Sequence, residues 1–343
     1  MKAVRFHEHG GPEVLRYEDV PEPEIRADEA LIRVRACSVN HLDLFVRGGL
    51  PGIRYPLPRI LGADVAAEVV RTGDLCWRVK PGQRVLLAPA TSCRQCEWCV
   101  SGHDNRCAKY AVLGAQVDGG YREYMAAPEW AVIPIPAELS FADAAAVPLV
   151  FLTAWHMLFA RAGLEAGEDV LVLGASSGVG SAAIQIAKLF HCRVIATAGG
   201  EAKMAKAAEL GADFVIDHYA QNIAAEVRRI TGKRGVDVVV EHVGAATWER
   251  SVQSLAAGGR LVTCGATTGY DVKLDLRFLF SKQQTVMGSY MGTLGELHRV
   301  LKFVFAGKLR PVIDTTFPLA EAEAAHRRLE RKEQFGKVIL TPG

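Results

Sequence analysis

The segment from Leu171 to Phe190 narrows the choice of fold more than any other stretch of the chain. A short apolar run, Leu171-Val-Leu, breaks at Gly174-Ala-Ser176-Ser177-Gly178-Val179-Gly180 and resumes as the helix-like SAAIQIAKLF. A buried strand that turns through glycines into an amphipathic helix lets the backbone approach a pyrophosphate closely. It also aims free N–H groups and the positive end of the helix dipole at the anion. The alternation continues downstream with strand RVIATAG, helix KMAKAAELG, strand FVIDH, helix IAAEVRRITG, strand VDVVVEHVG, helix ATWERSVQSLA and strand GRLVTCGAT. That rhythm predicts an α/β fold with a parallel sheet, helices on both faces and a dinucleotide on the Gly174–Gly180 turn.

A chain of 343 residues exceeds one ordinary core, so a second domain is expected. Before Asp143 the texture is indeed different: EALIRVRACSV, DVAAEVVRTG, QRVLLAPA, YREYMAAP and AVIPIP read as short strands separated by Gly and Pro. DAAAVPLVFLTAWHMLF then opens the helical part. After the alternating units, TVMGSYMG adds a strand, ELHRVLKFVFAG and AEAAHRRLERK read as amphipathic helices, and GKVILTP closes the chain as a strand. A net charge of +2 gives no basis for a nucleic-acid or membrane partner. The opening MKAVRFHEHG lacks the apolar core of a secretory signal, and no run of about 18 apolar residues appears. A cytoplasmic protein acting on a small molecule is the expectation.

Two local patterns refine it. The second strand of the alternating region ends Ala198-Gly199-Gly200, without the carboxylate that would bind the ribose hydroxyls of NAD, and Lys203 follows. Absence of that carboxylate removes repulsion against a 2′-phosphate, and Lys203 could pair with one; alternatively it is a solvated helix residue. NADP(H) is therefore expected in preference to NAD(H). Four of the eight cysteines follow the pattern Cys93-x2-Cys96-x2-Cys99-x7-Cys107. Four thiolates on one short loop suit a closed tetrahedral zinc, which has no open position for substrate and so serves structure. An iron–sulfur cluster or a disulfide pair is the alternative.

Together these residues make the chain resemble the medium-chain dehydrogenase/reductases over nearly its whole length. The motifs are an N-terminal GP-x-VL segment, the strand and loop RVRACSVNHLD, LGADVAAEVV, KPGQRV, the cysteine lobe, GASSGVG and the closing GKVIL. The resemblance implies a distorted, GroES-like β-barrel catalytic domain over residues 1–150. It implies a Rossmann domain over 151–290 and a return to the first domain from 291 to 343. In zinc-type alcohol dehydrogenases of this family, two cysteines and a histidine hold a catalytic zinc; the matching positions here are Asn40, Ala63 and Leu149. Leu42 stands where the family has a proton-relaying Ser or Thr. None of the three can serve as a metal ligand of that kind, and the segments Val39-Asn40-His41-Leu42-Asp43 and Gly62-Ala63-Asp64 look instead like the quinone oxidoreductase branch. That branch usually lacks the cysteine lobe, which this chain keeps.

The resemblance also suggests roles for single residues. Asn40 would bond a substrate carbonyl or the nicotinamide ribose, or else hold its own turn. His41 would bind cofactor phosphate or donate a proton, or be structural. Tyr55 is a candidate pocket wall or proton donor, Asp64 a near-pocket carboxylate, and Thr153 a neighbour of the nicotinamide. Ser176, Ser177, Gly178, Val179 and Gly180 would face the pyrophosphate. The strand ends His242-Val243 and Cys264-Gly265-Ala266 would line the cofactor crevice, with Ser289, Tyr290 and Met291 near the nicotinamide and Lys337 near the phosphates. The expected activity is hydride transfer from NADPH to a quinone or an α,β-unsaturated carbonyl without catalytic zinc. Zinc-type alcohol–aldehyde interconversion and a non-catalytic NADPH sensor are the alternatives, and the expected assembly is a homodimer or homotetramer.

Overall fold

The structure, a computed structural model, describes residues 1–343. The chain divides into two compact units, Met1–Leu149 with Arg310–Gly343, and Val150–Leu309.

The second unit is the alternating region. Six parallel strands lie in the order Phe214–Asp217, Arg193–Ala198, Asp169–Val172, Val236–Glu241, Leu255–Thr263 and Thr285–Gly288. The order reverses beside Asp169–Val172, the strand that feeds the glycine turn, and such a reversal is where an open parallel sheet offers a crevice for a ligand. Val170, Leu171, Val238, Val239, Leu261 and Val262 are all buried, as expected of strands covered on both faces. Thr285–Gly288 is an edge strand.

The first unit is mostly β. One sheet pairs Val132–Pro134, Arg84–Leu87, Asp64–Thr72, Glu29–Val39, Lys337–Thr341 and Ile313–Pro318 in that order, with Tyr124–Pro128 also on Glu29–Val39. The closing strand thus joins the N-terminal sheet, antiparallel to Glu29–Val39, with Val338 opposite Val39. This puts Lys337 next to the segment that starts at Asn40.

Three expectations need correction. The return to the first unit begins at Arg310, not 291. The helix Leu294–Phe305 stays with the parallel sheet because its capping Glu296 accepts from His156 Nδ1 at 2.8 Å, and Phe303 packs its ring 5.6 Å from Trp155 and 6.1 Å from Phe190. The segment after Val39 is a helix, His41–Gly48, rather than a loop. Its start is fixed by the Asp43 carboxylate, which accepts the Asn40 N–H at 2.8 Å. The apolar stretch after Asp143 is not one regular helix: Phe141–Ala145 and Pro148–Trp155 are α-helical, and His156–Arg161 continues as a π-helix. No helix is long and apolar enough to cross a membrane.

Candidate functional site

In the second unit, Ser177 caps the helix Gly178–Leu189: its hydroxyl accepts the Gly180 N–H at 2.8 Å and lies 3.1 Å from His242 Nε2. The first helical N–H groups, at Gly178 and Val179, have no acceptor inside the helix and remain for an anion. Gly180 is required by close approach, since a Cβ there would lie 2.2 Å from the Gly174 carbonyl oxygen. The Gly174 N–H itself bonds Thr197 Oγ1 at 3.0 Å, which fixes the turn to the neighbouring strand. His242, Val243, Cys264, Gly265 and Ala266 gather at the same sheet edge: Cys264 N–H donates to the Glu241 carbonyl oxygen, and the Thr268 N–H to that of Val243. Burial holds the His242 imidazole below its ordinary pKa, favouring the neutral ring.

Two buried hydroxyls of this unit, Thr153 Oγ1 and Ser289 Oγ, have no hydrogen-bond partner. Orphaned buried donors of this kind call for a ligand or water. Both residues were expected beside the nicotinamide. Met291 is buried with φ at 52°, a left-handed conformation uncommon for a side chain of its size, while Tyr290 is exposed. The glycine turn, the free helix N–H groups and these hydroxyls fit a dinucleotide.

At the second strand end, Ala198 is buried and pairs in register with Asp217. Sequence reasoning missed the pair that follows Asp217. A Cβ on Gly199 would lie 2.2 Å from the Tyr219 ring and 3.0 Å from His218 Nε2, so both side chains sit against the Gly199 backbone. Only the register of the parallel strands brings them there. Lys203 lies in the helix Glu201–Glu209, half-buried.

The first unit holds a buried polar cluster. The Asp64 carboxylate is fully buried and accepts from Ser38 Oγ at 2.9 Å, Asn40 Nδ2 at 2.9 Å, Leu149 N at 2.6 Å and Lys337 Nζ at 3.2 Å. Lys337 also donates to Asn40 Oδ1. Two readings change accordingly. Both ends of the Asn40 amide are engaged inside the protein, so Asn40 acts as a strut and not as a ready contact for substrate. The Lys337 ammonium, expected to face phosphates, is buried against Asp64 and Asn40. Burial forces this outcome, because a carboxylate and an ammonium removed from water must find each other.

A second network, invisible in the sequence, adjoins it. Arg47 Nη1 donates to His326 Nδ1 at 2.9 Å, which leaves the proton on Nε2 to donate to Tyr121 Oη at 3.1 Å; Tyr121 in turn donates to Asp43 Oδ2 at 3.3 Å. Burial raises Asp43 to about 6 despite N–H donors from Asn40 and Gly62, and burial with Arg47 nearby lowers His326 to about 3. Tyr55 is buried with its ring 6.3 Å from His9, and His41 opens the helix half-buried.

The cysteine lobe brings its four thiols together. Cys93, Cys96, Cys99 and Cys107 place their Sγ atoms within 4.8 Å of one another, with separations of 3.9, 3.6 and 3.5 Å among the bonded pairs. Zinc–thiolate bonds of about 2.3 Å in a tetrahedron put sulfurs about 3.8 Å apart, so the set fits zinc and is too open for a disulfide. N–H groups of Cys96 and Lys109 point at Cys93 and Cys107 Sγ, at 3.4 and 3.3 Å. Backbone N–H donors from Gln95 and Cys96 pull the Cys93 thiol down to about 6, while burial and the neighbouring thiols push Cys96 up to about 11, so the four share their protons unequally.

Comparison with known proteins agrees with this division of labour. Residues 26–137 match the alcohol dehydrogenase GroES-like domain, and residues 178–306 the zinc-binding dehydrogenase domain. The chain is 30% identical to the quinone oxidoreductase of Homo sapiens, covering 99% of this chain and 97% of that protein. The chain belongs to the medium-chain dehydrogenase/reductase superfamily. It is also 32% identical to an NAD-dependent alcohol dehydrogenase of Sulfolobus acidocaldarius, over 99% of both chains. A solved structure described as an NAD-dependent alcohol dehydrogenase shares 45% identity and a TM-score of 0.97, over 100% of both chains. The protein is thus a medium-chain oxidoreductase with a GroES-like domain and a Rossmann domain, of the quinone reductase or alcohol dehydrogenase type.

Proposed function

We propose that this medium-chain oxidoreductase transfers a hydride from NADPH to a quinone or an α,β-unsaturated carbonyl, without a catalytic metal. The observation that carries the reading is the donor set at the three positions matching the family's zinc ligands. Asn40 has its amide oxygen on an ammonium, Ala63 offers a buried methyl, and Leu149 contributes only a backbone N–H to Asp64. A divalent ion finds no ligands there. NADPH, when bound, supplies the hydride. The chain's part is to orient and to donate hydrogen bonds: reduction of an enone or a quinone leaves charge on an oxygen, which N–H and O–H donors can stabilise without a Lewis acid. In this reading Thr153 and Ser289 hold the nicotinamide end and Ser177 with the helix N–H groups holds the phosphates. Zinc, held by Cys93, Cys96, Cys99 and Cys107, keeps the lobe folded.

A second reading is favoured by the 45% identity to a structure described as an NAD-dependent alcohol dehydrogenase. One screen separates the two. Quinones, enones and alcohols are assayed with NADPH, NADH and the oxidised cofactors, before and after chelation. Quinone or enone turnover that survives chelation supports the proposal; alcohol oxidation abolished by a chelator, with the fold intact, returns the chain to the second reading.

Cofactor preference rests on the Ala198–Gly200 strand end and on Lys203. The Lys203→Ala variant is expected to lose about tenfold in kcat/KM with NADPH, the size of one charge-assisted contact, with little change for NADH. An unchanged ratio, or a wild-type preference for NADH, removes this part of the proposal.

Assembly follows from the edge strand Thr285–Gly288. No strand of the chain covers its outer side, where the Gly288 carbonyl accepts from Arg161 Nε at 2.8 Å, and Leu276, Phe278 and Phe280 are exposed on the helix Leu276–Ser281 just before it. A second copy covering this edge would pair the backbone and bury those side chains. Light scattering is expected to report a dimer or a multiple of it, and Val286→Pro should shift the species toward monomer. A wild-type monomer at micromolar concentration defeats the claim.

A further inference from the structure

Ser177 and His242 meet where the glycine turn enters the helix Gly178–Leu189, and the protons they share limit what that turn offers an anion. The Ser177 hydroxyl has one proton to give and two lone pairs with which to accept. One lone pair is taken by the Gly180 N–H at 2.8 Å, and His242 Nε2 lies 3.1 Å from the same oxygen. The ring rests on the turn: a Cβ on Gly174, whose φ is 61°, would lie 3.1 Å from His242 Cε1. Ser177 and His242 are only half-buried, so the pair reaches the surface of the turn.

The surroundings of the ring decide where its proton sits. The carbonyl oxygens of Leu173 and of His242 itself lie beside the imidazole and favour an N–H there. A neutral imidazole has one N–H and one acceptor nitrogen. With the N–H turned to the carbonyls, Nε2 accepts the Ser177 proton, and Ser177 has none left for a ligand. A phosphate oxygen only accepts, so it can use Ser177 only when Nε2 also carries a proton. The imidazolium then donates from both nitrogens, Ser177 Oγ accepts from Gly180 and His242, and the Ser177 O–H turns outward. Desolvation by the surrounding strand ends keeps the ring neutral in the free protein, and Glu241 is the charged group that opposes it. The Glu241 carboxylate is itself buried, accepting from the Val243 and Gly244 N–H groups and from Thr247 and Ser251. Cys264, at the adjoining strand end, keeps its thiol proton, burial raising it to about 12. A pyrophosphate on the free helix N–H groups adds negative charge near the pair and favours the imidazolium further.

We propose that His242 is a positioning residue for the dinucleotide: binding brings a proton from solvent onto Nε2, which releases the Ser177 O–H to a phosphate oxygen. The inference rests on the cofactor reading above. Because the proton enters with the ligand, affinity falls as pH rises through neutrality.

Calorimetric titration of NADH near neutral pH, in buffers of different ionisation enthalpy, counts the protons taken up. NADH is the main probe because its pyrophosphate does not titrate near neutrality, whereas a 2′-phosphate does; NADPH is titrated alongside. Wild-type protein is expected to take up at least about half a proton per NADH, and its dissociation constant to rise about threefold or more between about pH 6 and about pH 8. His242→Gln, whose amide donates to Ser177 without titrating, should bind NADH with no uptake and a flat pH profile. Ser177→Ala should lose the uptake as well, and decides the matter if His242→Gln does not fold. Dinucleotide binding to the wild type without proton uptake, or uptake undiminished in these variants, overturns the inference and leaves the cofactor reading standing. Failure of both NADH and NADPH to bind removes both.

Discussion

Protein purified without added metal is expected to carry one zinc per chain, and Cys96→Ser to lose it together with the lobe. The geometry supports a large effect. Four Sγ atoms lie within 4.8 Å of one another on a loop with little apolar filling, since Cys93, Cys96 and Cys99 are only half-buried and Val100 is exposed. Without an ion the four Sγ atoms lose their common ligand, and any deprotonated thiols would repel, leaving the loop to its short-range backbone hydrogen bonds and to Arg94 over the Trp130 ring. Structural zinc supplies folding free energy directly in such sites. Metal analysis, together with thermal unfolding before and after chelation, measures the outcome. Two tightly held zincs per chain, or a chelated protein with an unchanged melting profile, would show that the lobe is not what holds the metal or that the metal does not hold the lobe.

Lys337→Met is expected to destabilise the first unit by about 3–5 kcal/mol, because it leaves the Asp64 carboxylate buried and without its cation. For a unit of this size that corresponds to roughly 6–20 °C in melting temperature. The charge-neutral double variant, Lys337→Met with Asp64→Asn, should recover most of the loss, since the buried imbalance disappears. Ser38 Oγ, Asn40 Nδ2 and the Leu149 N–H would then face a neutral amide rather than a carboxylate. A shift below about 1 °C in Lys337→Met would mean that the ammonium is directed elsewhere in solution, and would reopen a phosphate-binding role for it. Differential scanning calorimetry of the three proteins gives the answer.

Much of the fold was legible because local rules and the global architecture agree in this chain. The strand–glycine–helix segment at 171–190 and the alternation after it specify a parallel sheet, since buried strands and amphipathic helices differ in period and can be told apart from residues alone. The four cysteines identify themselves through spacing, because a short loop needs no distant partner to bring thiols together. Tertiary structure decided the rest. Lys337 and Asn40 lie far apart in sequence, and only the pairing of the closing strand with Glu29–Val39 puts an ammonium beside an amide and a buried carboxylate. The same pairing turns Asn40 from a candidate substrate contact into a strut. Tyr219 and His218 reach Gly199 through the register of parallel strands, and the helix Leu294–Phe305 stays with the second unit through His156 and an aromatic cluster. Sequence determined which groups the protein owns and the period of its elements; long-range strand pairing and the desolvation of charge determined which of those groups meet.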